Sequence, residues 1–320
     1  MSNRKVLWIL FLLVCSLSSF AASPNYSIIK KIPIPGSGGW DYLAVDDAAR
    51  RLYVSHATEV EILNLDSGEE LGSIPTLGMH GIALAPEFNH GFLSDGKANA
   101  VIMFDLKAMR VLSKINSPKN PDGIIYDDES KRVFAFNGDS NSATAIDAAS
   151  GKVAGTVDLG GGPEYAAADG RGYVFNNLED ESLVLKINSR TLKVEQRWPT
   201  APCSSPSSMA MDRANRRIFI GCRSKVMAVL DADSGKVITA LPIGDHVDAT
   251  VFDADRKLIF NSNGEGTITV IREESPDTYS VVQTVKTAPR AKTMALDPKT
   301  HQLFLSTAEN GQFEVLVVGP

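Results

Sequence analysis

With 320 residues, 43% apolar and 22% charged side chains, the chain can bury a substantial core as one soluble body. Its formal charge of −6 repels phosphate backbones and argues against a nucleic-acid partner. It contains no linker, low-complexity tract or long charge run that would divide it into separate domains.

At the N-terminus, Arg4 and Lys5 precede an apolar run from Val6 to Leu17, followed by small residues through Ala21-Ala22-Ser23. That run is too short to cross a bilayer, so residues 1–22 are expected to be a secretory signal cut near Ala21 or Ser23. Cys15 follows Leu13-Val14 and lacks the small residues that lipid attachment requires. The mature chain, 23–320, is therefore expected to be periplasmic or secreted, monomeric and without a membrane span. Loss of Arg4 and Lys5 leaves 30 basic residues against 38 acidic ones, a formal charge of −8. Cys203 and Cys222 remain, an even number in a compartment that permits oxidation.

From Gly39 onward the chain repeats itself seven times. The opening segments are Trp40-Asp41-Tyr42-Leu43, Met79-His80-Gly81-Ile82, Pro121-Asp122-Gly123-Ile124, Pro163-Glu164-Tyr165-Ala166, Pro206-Ser207-Ser208-Met209, Val247-Asp248-Ala249-Thr250 and Ala291-Lys292-Thr293-Met294. Their second residues fall at 41, 80, 122, 164, 207, 248 and 292, a step of 39 to 44 residues. That period belongs to propeller blades and is too long for leucine-rich or tetratricopeptide units.

Four short antiparallel strands fit each repeat. The opening strand ends in a polar hairpin such as Asp46-Asp47-Ala48-Ala49, and a second strand follows, as in Leu52–Ser55, Val133–Phe136 and Ile218–Ile220. Asp66-Ser67-Gly68, Ala149-Ser150-Gly151 and Asp233-Ser234-Gly235 join the third strand to the fourth, with Gly supplying positive φ and Asp or Ser bonding the local backbone. An antiparallel first hairpin brings Cys203 opposite Cys222, and a bridge there is expected to stabilise by about 3 kcal/mol. The seventh repeat stops after its third strand, Phe313–Val318. Tyr26–Ile32 is expected to supply its fourth and close the ring, with Lys30-Lys31 facing solvent. The fold class is thus all-β: a seven-bladed propeller of four-stranded antiparallel blades.

The second strands and the positions after them, Tyr53-Val54-Ser55-His56, Phe134-Ala135-Phe136-Asn137 and Tyr173-Val174-Phe175-Asn176 among them, resemble the YVTN-repeat, YncE-like propellers. The resemblance covers essentially the whole mature chain and implies a seven-bladed propeller. The functions it implies are diverse and mostly not enzymatic. Some relatives bind nucleic acid, which the acidic balance here disfavours.

Function then resides in what varies between repeats at equivalent positions. One column reads Asp41, His80, Asp122, Glu164, Ser207, Asp248 and Lys292; a second, after the second strand, reads His56, Asp95, Asn137, Asn176, Cys222, Ser262 and Thr307. Both are expected to ring one mouth of the central channel.

Two readings of that mouth stand. The first is a water-filled polar mouth that presents Asp41, His80, Asp122, Glu164, Asp248 and Lys292, with His56, Asp95, Asn137 and Asn176, to a small ligand or protein. The second is a divalent cation, calcium foremost, held by Asp122, Glu164 and Asp248, with Asp41 and with His80 or His246 nearby, serving a lactonase-like hydrolase. Gly36-Ser37-Gly38-Gly39 and Gly160-Gly161-Gly162 lack the lysine and helix start of a phosphate loop and read as turns. Glu179-Asp180-Glu181 reads as a solvated loop, and Trp40 and Tyr42 as packing beside the channel.

Overall fold

The computed structural model describes residues 24–309 and 311–320; the expected signal, residues 1–22, lies outside them. Among the described residues, runs of β-branched and aromatic residues separated by short turns give 28 strands in seven four-stranded antiparallel sheets. Blades 1 to 6 are consecutive in sequence, at 40–75, 79–116, 121–158, 163–199, 206–242 and 247–286, each ordered from the channel outward, and blade 7 holds the chain's last three strands. In the seventh, Ala295–Asp297, Gln302–Glu309 and Gln312–Gly319 are completed by Ser27–Pro33, which pairs with the last strand from Ser27 opposite Gly319 to Pro33 opposite Glu314. Closure by the N-terminal strand is as expected. All but one residue of that strand are exposed, and Lys31 lies 2.7 Å from Glu309 and 3.0 Å from Glu314.

A blade buries both faces, so the core is divided among the interfaces. The buried apolar residues form seven clusters, one between each pair of neighbouring blades, including blade 7 against blade 1. Every second strand places one aromatic at the same level: Tyr53, Phe92, Phe134, Phe175, Phe219, Phe260 and Phe304, all buried. These rings supply much of the apolar area that holds adjacent sheets together.

On the face where the first strands end, buried aspartates tie blades to one another. Arg50 reaches Asp297 of blade 7 at 2.9 Å, Arg216 reaches Asp169 of blade 4 at 2.8 Å, and His301 reaches Asp253 of blade 6 at 2.7 Å. Arg50, Arg216 and His301 all have positive φ, which turns each side chain back toward the preceding blade. Cys203 and Cys222 are disulfide-bonded as expected, with Cα atoms 5.7 Å apart.

Candidate functional site

The opening strands do more than start at the channel. In each of the first six blades the pairing with the second strand slips at the polar residue: between Trp40 and Leu43, Met79 and Ile82, Pro121 and Ile124, Pro163 and Ala166, Pro206 and Ser208, and Val247 and Ala249. Such a bulge leaves its residue unpaired and re-aims its side chain. Glycine permits the tightest of these approaches, since a Cβ on Gly81 would lie 2.6 Å from the Asp122 carbonyl and one on Gly123 2.4 Å from that of Glu164. Blade 7 differs from expectation. Its opening strand is only Ala295–Asp297, and Ala291–Lys292 are taken into turns behind Arg290, whose φ is positive.

The result is a cavity of about 190 Å³ on the propeller axis, lined by Asp41, Tyr42, Asp122, Glu164, Ser207, Arg223, Asp248, Lys292 and Thr293. His80 stands beside it, its Nδ1 2.8 Å from Asp41 Oδ2 and 3.7 Å from Asp122 Oδ1. Asp122 and Glu164 also form the wall of a wider cavity of about 510 Å³ toward blades 3 and 4, where Asn120, Asp139, Glu179 and Asp180 join them. Seven carboxylates therefore face Lys292, Arg223 and the His80 imidazole. Lys292 Nζ sits 2.9 Å from Asp248, and Arg223 Nε is bonded to Glu179. Tyr42 lines this cavity on its inner side, and its ring stacks on that of Tyr165 at 5.5 Å, forming a tyrosine floor.

Burial decides which of these groups are ionised. Asp122 is pushed up to about 6 by desolvation, against the opposing pull of His80. Glu164 is pushed up to about 9, first by desolvation and then by its hydrogen bond with Glu179. Burial would raise Glu179 too, but that bond and Arg223 outweigh it and hold it low, so Glu164 carries the proton of the pair. Desolvation raises Asp248 despite Lys292. The bond to Asp41 raises His80, which favours an imidazolium between two acids.

The first polar column thus gathers at one axial mouth, and the second does not. His56, Asp95, Asn137 and Asn176 lie within their strands, at most 3% exposed, because those strands run further than expected. His56 stacks on Phe313 at 4.0 Å. Asp95 accepts the amides of Leu77, Gly78 and Ala98; Asn137 bonds Ser117, Ser142 and Thr144; Asn176 donates to the Tyr165 carbonyl. These are structural clamps. Asp41, His80 and Asp122 are, among the described residues, the one group of three or more His, Cys, Asp or Glu side chains whose ligand atoms lie within 4.8 Å of one another. Asp122, Glu164 and Asp248 are not drawn that close, and His246 is 71% exposed beside Asp245.

Glu179 and Asp180, expected to be a solvated loop, instead line the wider cavity, and Arg223, Asn120 and Asp139 were not singled out in the sequence. Arg223 had a signal. One position after the second column the repeats read Ala57, Gly96, Gly138, Asn177, Arg223, Asn263 and Ala308, and only one of these ionises.

The chain is similar in fold to several solved structures. One is the hydrazine synthase of Kuenenia stuttgartiensis, with a TM-score of 0.76 at 14% identity over 88% of this chain and 96% of that one. Another is U3-55K, with a TM-score of 0.81 at 8% identity over 92% and 98%. The WD40 repeats of RRP9 give 0.81 at 8% identity over 91% and 97%. The fold is a WD40-like propeller. No family model matches the chain, and no curated protein matches its sequence. At these identities the likeness concerns the fold, and the chemistry rests on the mouth.

Proposed function

We propose that the protein is an exported binding module whose acidic axial mouth captures a small cationic ligand, such as a polyamine, or a basic side chain of a protein partner. The observation that carries this reading is the wall shared by the two cavities. Asp122 and Glu164 stand there amid seven carboxylates, and the main opposing cations, Lys292 and Arg223, are already paired. The stacked Tyr42 and Tyr165 rings line the inner side of the mouth, an aromatic surface for the body of a small ligand to rest on. An apolar run behind two basic residues and a disulfide support export. The second-strand residues quoted above support membership of the YVTN-repeat propellers.

An ammonium ligand favours the ionised form of the carboxyls it meets, so its binding drives protons off Asp122 and Glu164 and tightens as pH rises from 6 to 9. Titration of purified protein with spermidine tests this. The expected outcome is saturable binding that weakens about tenfold or more in Asp122→Asn and Glu164→Gln and falls with added salt. No binding at millimolar spermidine, or binding indifferent to both substitutions, contradicts the reading.

A second reading is favoured by the Asp41, His80 and Asp122 group. One imidazole and two carboxylates suit zinc better than calcium, which needs six to eight oxygens. Such a cation supplies Lewis-acid activation of a carbonyl or water, the chemistry of a lactonase-like hydrolase. Elemental analysis of the mature protein, with loss of metal in Asp122→Ala, is the expected support for it; a metal-free protein that takes up no added zinc rejects it.

A further inference from the structure

Beyond the tyrosine floor the channel changes character. From the opposite face it is a cavity of about 400 Å³ walled by opening-strand residues of blades 1 to 4, among them Ala44, Leu84, Ile125 and Tyr165. That volume lies within the range of ligand pockets, and its walls mix apolar and polar groups where the upper mouth is almost wholly polar.

The rim is built across a gap. Arg213, of blade 5, donates Nε to the Ala168 carbonyl at 2.8 Å and Nη1 to Asp128, of blade 3, at 3.1 Å, passing over Gly170 of blade 4. A guanidinium fixed in this way presents its remaining N–H groups at the edge of the cavity, with Asp128 on its other side.

We propose that this lower cavity is a second binding site, for a small planar aromatic molecule with one anionic head group, its body against the tyrosine floor and its head on Arg213. An aromatic body suits a wall that is itself aromatic, and a fixed guanidinium suits a planar or tetrahedral anion. The site is opposite in charge preference to the upper mouth and does not depend on it.

The probe is 1-anilinonaphthalene-8-sulfonate, which combines both features. Fluorescence titration of the mature protein is expected to show one saturable site with blue-shifted emission. Filling the cavity with Ala44→Phe is expected to weaken binding about tenfold, and Arg213→Gln severalfold, with near-ultraviolet circular dichroism unchanged. If Ala44→Phe does not fold, Arg213→Gln alone decides. Absence of saturable binding, or binding undiminished in folded Arg213→Gln, overturns the inference whatever spermidine does at the other end.

Discussion

Glu164 is where residue chemistry is most exposed to test. Its carboxyl is held at about 9 against an ordinary 4.5, so the folded chain binds this proton more tightly than the unfolded chain does. The resulting stabilisation is fully present below about pH 4.5 and is lost as pH rises through 9. Thermal unfolding should therefore show a melting temperature that falls between pH 6 and pH 9, and Glu164→Gln should flatten that fall; an unchanged slope in the variant refutes the assignment. Asp95 tests the opposite role. It accepts three amides and lines neither mouth cavity, so Asp95→Ala should cost about 3 kcal/mol in urea unfolding and leave spermidine affinity unchanged. The two polar columns looked alike in the sequence because residue type does not report burial. What separates them is a strand that ends one or more residues later than its turn signals suggest.

At the scale of the element, hairpins and strand order were legible because Gly, Asp and Ser at the turns have a stereochemical reason to be there. The bulges were not, since a register slip leaves little mark beyond Gly81 and Gly123. The blade-to-blade clasps were written in the sequence but unread. Asp46, Asp127, Asp212, Asp253 and Asp297 are followed four residues on by Arg50, Lys131, Arg216, Lys257 and His301, a spacing that puts a base at the turn residue of positive φ. All five bases reach back to an acid of the preceding blade. Arg50→Ala would leave Asp297 buried without its partner, so denaturant unfolding should show a loss of about 3 kcal/mol. A change of under about 0.5 kcal/mol, typical of surface positions, would show that the clasp contributes nothing.

For the whole molecule, the core is divided among seven interfaces, and the first and last described strands pair in a single blade. Deleting residues 24–33 uncovers the edge of Gln312–Gly319 and removes Ile32 from the blade 7 to blade 1 cluster. That truncation should abolish the cooperative unfolding transition or lower its midpoint strongly, as followed by circular dichroism; a transition like that of the full chain would mean the ring does not need its closing strand. The repeat period made this architecture readable, because equal spacing of identical units leaves few other ways to bury both faces of every sheet. The tyrosine floor was not readable, because nothing in the period says that Tyr42 and Tyr165 of blades 1 and 4 meet across the axis.

The central claim is that matching residues of successive blades form one acidic mouth whose protons yield to a bound cation. Calorimetric titration with spermidine at pH 7.5, in two buffers of different ionisation enthalpy, reads that exchange directly. The account predicts release of about one proton per ligand by the wild-type chain and markedly less by Glu164→Gln, with weaker binding. Heats independent of buffer, with the same affinity in both proteins, would contradict it.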